Sequence, residues 1–182
     1  MIIGLTGTIG SGKGVVADYL VQKGYTYYSL SDIVREETTK MGITHMRENL
    51  QNVGNGLRRK YGLGILAERT KEKIINGRNY VIDGIRNTAE VAALRTLPRF
   101  YLIGVDSPLN IRWERVKARG RASDAKDEKE FVRLDLIDRG QEEVYGQQVG
   151  KCLSLANFQI LNNINLDALY KNIEGILKTI ED

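Results

Sequence analysis

The stretch Gly7-Thr8-Ile9-Gly10-Ser11-Gly12-Lys13-Gly14 follows an apolar run, Ile2 to Thr6, and opens into a helical pattern. Its spacing is G-x-x-x-x-G-K, set between a strand and a helix as that motif requires. The glycines let successive backbone amides converge on one phosphate, and the start of the helix adds its partial positive charge. Lys13 brings a full charge toward the β- and γ-phosphates. A glycine-rich turn with a surface lysine is the plainer reading, but it leaves the coincidence of strand, spacing and lysine without a cause. Gly7, Thr8, Ile9, Gly10, Ser11, Gly12, Lys13, Gly14 and Val15 are therefore the expected ATP-binding residues. The Ser or Thr that usually follows the lysine and ligates magnesium is replaced by Gly14, with Val15 next. Mg2+ brought in with ATP is then held through water and phosphate rather than by a loop hydroxyl.

Outward from that loop, short apolar runs alternate with helical patterns. Strands are expected at Ile2 to Thr6, Tyr25 to Leu30, Tyr80 to Asp83, Phe100 to Val105 and Phe158 to Leu161. Helices are expected at Gly14 to Lys23, 33–40, 46–77 (broken at Gly54/Gly56 and Gly62/Gly64), Thr88 to Leu97, Pro108 to Arg119, Glu128 to Glu143 and Asp167 to Ile180. Continuous apolar strands between helices argue for a parallel sheet covered on both faces. The fold class is thus α/β, a three-layer α/β/α arrangement around a five-stranded parallel sheet. Ligands of such folds sit beyond the carboxyl ends of the strands.

A chain of 182 residues amounts to about one domain at roughly 150 residues each, and 42% apolar residues suffice for a core. One cysteine, Cys152, and one histidine, His45, exclude a disulfide framework or a zinc cage. The lone thiol and the lack of a leader or a membrane-length apolar run lead to the expectation of a soluble cytoplasmic protein. Lys and Arg number 27 against 23 acids, net +4, interleaved without a polybasic run. That excess is compatible with nucleic acid, though no tail or basic patch is present, and with a small anionic substrate; composition does not decide between them and the motifs must.

Asp83 ends the third expected strand close to the phosphate loop, where a carboxylate can organise magnesium-bound water; Asp83-Gly84 also has the composition of a simple turn. Arg86, three residues on, faces the same crevice and can clamp an acceptor phosphate, or be a solvated loop arginine. After the second strand, Ser31 or Asp32 is placed to cap a helix, and Arg35 lies one turn on, over the same crevice.

Gly7 to Gly14, Ser31-Asp32-Ile33-Val34-Arg35 and Asp83-Gly84-Ile85-Arg86 together resemble the nucleoside monophosphate kinase superfamily. Adenylate kinases carry Thr-Gly-Asp-Met-Leu-Arg and Asp-Gly-Phe-Pro-Arg at the corresponding places, and both arginines bind the acceptor phosphate. The segment Arg47-Glu48-Asn49-Leu50-Gln51, Gly56-Leu57-Arg58 and Tyr61-Gly62 looks like deoxynucleoside monophosphate kinases. The tail, from Leu155-Ala156-Asn157-Phe158 to Leu169, looks like dephospho-CoA kinases and archaeal adenylate-kinase-like proteins. The resemblance implies one P-loop kinase domain over residues 1–182, with an acceptor-binding insert about 31–77 and an arginine-bearing lid about 112–145. It also implies substrate contacts from Asp32, Arg35, Arg58 and Arg86.

In that lid, Arg112, Arg115 and Arg119 recur at i, i+3 and i+7 and share a helix face, with Arg121 following. Phosphoryl transfer is mostly positioning and electrostatics, so Arg115 and Arg119 join Lys13, Asp83 and Asp32 as candidate catalytic residues. The bland alternative is a solvated face paired with Glu114, Asp124 and Asp127. Gly120 and Ala122 to Lys129 suit a hinge and loop. Asn162, after the last strand, is a candidate contact to the purine of ATP, or a turn residue. His45 reads as a surface residue, Cys152 as a packed hydrophobe, Tyr25, Tyr27 and Tyr28 as sheet core, and Trp113 as packing under the lid helix.

Three functions follow from this pattern. The first is an ATP-dependent kinase whose acceptor is a nucleoside or deoxynucleoside monophosphate. The second is a dephospho-CoA kinase, in which Asp32 takes the proton of a ribose hydroxyl. The third is a regulatory or RNA-associated P-loop ATPase, which the mild basicity permits without any recognised nucleic-acid motif.

Overall fold

In a computed structural model that describes residues 1–121, 124–140 and 146–181, five strands line up in parallel in the order β2-β3-β1-β4-β5. They are β1 (Ile2–Gly7), β2 (Thr26–Ser29), β3 (Tyr80–Asp83), β4 (Phe100–Asp106) and β5 (Phe158–Leu161). The helices are α1 (Lys13–Gln22), α2 (Leu30–Lys40), α3 (Arg47–Tyr61), α4 (Ile65–Lys71), α5 (Thr88–Leu94), α6 (Leu109–Arg119), α7 (Glu128–Arg139), α8 (Val149–Ser154) and α9 (Leu166–Glu181). The central strand β1 pairs with β3 from Ile2↔Tyr80 to Gly4↔Ile82 and with β4 from Ile2↔Phe100 to Gly7↔Val105. Two cores explain why the strand sequences are apolar without alternation. Ile3 and Leu5 face Val16, Leu20 and Ile173 on one side, while Ile2, Tyr80 and Ile82 pack with Leu30, Leu66 and Leu94 on the other. The expected α/β/α fold is therefore the observed one.

Several boundaries differ from the sequence reading. Gly54 and Gly56 do not break α3, which runs unbroken from Arg47 to Tyr61; Gly54 instead lies against Val34 of α2. The break comes at Gly62, whose φ of 97° ends the helix, and residues 72–79 form turns rather than helix. Neither Ser31 nor Asp32 caps α2. Ser29 does, its side chain accepting the Ser31 N–H at 3.2 Å, because β2 stops one residue sooner than its apolar run suggests. Helix α7 closes at Arg139 on a left-handed Gly140; the expected continuation over 141–143 lies outside the described residues, as do Ala122 and Ser123. The short helix α8 had no sequence signal.

The phosphate loop is braced from below by a buried charged network. Arg112 is 2% exposed and makes a two-pronged ion pair with Asp135 at 2.6 and 2.9 Å. It also donates to the carbonyls of Ser107 (2.8 Å) and Ile9 (3.1 Å). Arg139 joins Asp135 at 3.0 Å, and Asp106 accepts the Thr8 hydroxyl at 2.6 Å. Trp113 and Phe131 pack beside this network, ring centroids 5.5 Å apart. Cys152 is buried as expected, and burial, aided by the nearby Glu90 charge, pushes its thiol up to about 12.

Burial alone would raise the Asp135 carboxyl, but hydrogen bonds and charge from Arg112, then Arg139, outweigh it and hold it below the ordinary value. The folded carboxyl thus releases its proton more readily than the unfolded one. Its stabilising contribution is complete above about pH 4 and is lost as pH falls through the lower folded value. Asp135→Ala strands the buried Arg112 and is expected to destabilise the fold by about 3–5 kcal/mol, read as a lowered urea midpoint at pH 7, with the gap to wild type closing in acid.

Candidate active site

The loops after the parallel strands gather along one edge, and two cavities open there. The larger, about 850 Å³, is lined by every residue from Gly7 to Val15 and by Asp83, Arg115, Arg119 and Asn162. The smaller, about 310 Å³, lies between α2, α3 and the start of α5, and is lined by Arg35, Arg58 and Arg86. Ser31, Arg35, Gly84 and Arg86 line both, so the cavities join at the ends of β2 and β3.

The larger cavity is built on the loop and the start of α1. Gly12 caps α1 from the left-handed region, φ 94°, and a Cβ there would collide with Asn162 Nδ2. Asn162, after β5, donates from that nitrogen to the Ser11 carbonyl at 2.9 Å. Lys13 Nζ meets Asp83 Oδ1 at 2.5 Å with both side chains largely covered. The same oxygen accepts the Gly84 N–H at 2.6 Å, while Oδ2 lies 3.4 Å from the Tyr27 hydroxyl.

Arg115 extends over the loop and donates to the carbonyls of Ser11 (3.3 Å) and Asn162 (3.1 Å). Among the described residues its partners are neutral, and burial lowers its pKa from the ordinary value. A half-covered cation with neutral partners is a ready anion site. Arg119 is held differently, by Asp124 at 2.5 and 2.7 Å. The three arginines at i, i+3 and i+7 therefore part company: Arg115 and Arg119 line the cavity, whereas Arg112 lies beneath the loop.

In the smaller cavity, Gln51, Asn55 and Arg58 share one face of α3, above an apolar floor of Leu30, Val34 and Leu66. Arg86 donates to Gln147 Oε1 at 3.1 Å, and the Gln148 N–H donates to the Arg86 carbonyl at 2.6 Å. Arg58 is buried against Glu90. Arg35 is paired with Asp32 at 2.6 Å, both about half exposed, and Asp32 lines neither cavity.

Sequence reasoning missed several lining residues. His45 is exposed, as read, but its ring also borders the smaller cavity. Tyr27 is 42% exposed rather than sheet core and lines the larger one, because β2 is an edge strand. Asp18 lines it too; its place one turn beyond Gly14 is a helical-spacing signal that could have found it. Gln147 had no local signal.

Comparison with known proteins fits this geometry. A family model described as an AAA domain matches residues 3–134. A UPF0200 protein of Pyrococcus horikoshii is 36% identical over 187 residues, covering 99% of this chain and 97% of that protein. The chain belongs to the UPF0200 family. A UPF0200 protein of Hyperthermus butylicus is 31% identical over 182 residues, covering 99% and 95% of the two chains. Among solved structures, TT1252 from Thermus thermophilus has a TM-score of 0.63 at 21% identity, covering 98% of this chain and 97% of that one. Shikimate kinase from Aquifex aeolicus has a TM-score of 0.59 at 17% identity, covering 100% and 96%. The solved structures place the UPF0200 chain on the P-loop kinase fold. Among the described residues, no helix is long and apolar enough to cross a membrane.

Gly12→Ala forces a Cβ into a left-handed backbone and onto Asn162. The strain, about 1–3 kcal/mol, is expected to weaken ATP binding in isothermal calorimetry while the α/β fold, followed by circular dichroism, persists.

Proposed function

We propose that this chain, as a single P-loop kinase domain, transfers the γ-phosphate of ATP to a nucleoside or deoxynucleoside monophosphate in the cytoplasm. The observation that carries this reading is Arg86, half-buried, with Gln147 as its side-chain partner and no carboxylate among the described residues, at the junction of the two cavities. ATP in the larger cavity and a monophosphate in the smaller would bring two polyanions face to face there. Arg86 and Arg35 would hold the acceptor phosphate and offset the repulsion between the anions. Arg58 would reach the same phosphate from α3, and Gln51 and Asn55 on that face would offer amides to a base.

Lys13 and the loop amides would hold the β- and γ-phosphates, and Asn162 with Arg115 would border the adenine end. An oxygen of the acceptor phosphate attacks the γ-phosphorus, the bond to the β–γ bridging oxygen breaks, and ADP leaves. That phosphate has a second pKa near 6 and is mostly ionised at neutral pH, so no general base is needed. Arg115 and Arg119 would meet the charge spread over the transferred group.

The residues fit magnesium held through water. Gly14 and Val15 offer no hydroxyl, and the Thr8 hydroxyl donates to Asp106. Asp83 Oδ2, facing the cavity, would accept from metal-bound water, and the metal would screen the phosphate charges. The position of Asp32, outside both cavities and paired with Arg35, weighs against its use as the base of a hydroxyl acceptor.

The test follows ADP release with ATP and magnesium alone, or with CMP, dCMP, AMP, dephospho-CoA or RNA added. A monophosphate is expected to accelerate release; acceleration by dephospho-CoA alone, or a requirement for RNA, would overturn the reading. Asp32→Asn is expected to change the monophosphate rate by less than about threefold, whereas loss of a general base costs about a hundredfold or more. Lys13→Ala is expected to abolish transfer.

A further inference from the structure

Glu90 is fully buried in the first turn of α5, and both its oxygens are occupied from two directions. Oε2 accepts the backbone N–H groups of Arg86 at 2.9 Å and Asn87 at 3.0 Å. Oε1 accepts Nη2 of Arg58 at 2.9 Å and Nε at 3.2 Å. A capping box needs only the amide of its cap residue, here Asn87. The Arg86 amide and the Arg58 guanidinium are additional, and Arg58 comes from α3, 32 residues earlier.

We infer that Glu90 is the positioning residue of the acceptor site, fixing Arg58 and the backbone of Arg86 so that both arginines address one bound phosphate. The inference rests on the phosphate-acceptor reading. A buried ion pair contributes little net stability over apolar packing, so its place in a cavity wall points to geometry. With Nε and Nη2 of Arg58 held by Glu90, Nη1 is outside that pair and donates to Asn55 Oδ1 at 3.4 Å; Arg58 and Asn55 both line the cavity. An arginine already fixed has less rotamer freedom to lose when an anion arrives. Glu90→Gln keeps the shape but retains one accepting oxygen, and its NH2 would face donors on one side. Either Arg58 or the two amides then lose their partner.

Steady-state kinetics on the full chain test this, using ATP, magnesium and the monophosphate that wild type uses best, with the thermal midpoint of each variant measured alongside. In Glu90→Gln and in Arg58→Lys the acceptor KM is expected to rise about tenfold or more while the ATP KM stays within about twofold. The double variant is expected to fall short of the product of the two effects, because both remove the same fixed fork. An unchanged acceptor KM in folded Glu90→Gln, or ATP and acceptor KM rising together, would overturn the inference and leave Glu90 a structural residue. Should Glu90→Gln not fold, Arg58→Lys decides, since lysine keeps the charge toward Glu90 but cannot hold the fork; an unchanged acceptor KM there overturns it equally. Absence of any monophosphate effect in wild type is a separate result, and it removes the phosphate-acceptor reading itself.

Discussion

A guanidinium drawn out of water must be met by an anion or by enough carbonyl oxygens to replace its hydration, and this requirement organises the working edge of the molecule. Arg112 and Arg58 are deeply buried and each has a carboxylate, Asp135 and Glu90 respectively. Arg115 and Arg86 are half-covered, line the cavities and have neutral partners among the described residues. The first pair is fixed in place by the protein's own charges, Arg58 keeping Nη1 outside its ion pair with Glu90. The second pair is oriented by the fold and has capacity left for a ligand's charge.

The parallel sheet makes that sorting possible. Because all five strands run the same way, the loops after them lie along one edge, and residues distant in sequence meet there. Asp83 reaches Lys13 across the β1–β3 pairing, and Asn162 reaches Ser11 from the far side of β4. The two cavities therefore share a wall instead of lying on separate faces. Transfer between two bound anions needs that adjacency more than it needs any single reactive side chain.

The helix carrying Arg112, Arg115 and Arg119 shows where a linear pattern stops being informative. Their spacing places them on one face of α6, and that face is real. What lies opposite it changes along its length: Asp135 of α7 near Arg112, the loop and Asn162 near Arg115, Asp124 near Arg119. Glu90 shows the converse. Asn87-x-x-Glu90 has the form of a capping box, a purely local signal, and the box forms; that the same carboxylate also grips an arginine of α3 has no local trace. Asp32 reads as a base beside a clamp, and what the fold adds is their mutual ion pair, half exposed, with Arg35 but not Asp32 lining the cavities.

The sequence by itself determined the parallel α/β architecture, the phosphate loop and the presence of Asp83 at the end of β3 with Arg86 just beyond it. Those features depend on local periodicity, glycine spacing and the rule that ligands gather at strand ends. Tertiary structure alone decided which arginines meet internal carboxylates, that Asp32 stands outside the cavities, and that Glu90, Gln147 and Asp135 hold Arg58, Arg86 and Arg112 respectively. The reason is physical: a side chain's charge is set by its type, but whether that charge is already neutralised depends on what packs against it from another part of the chain.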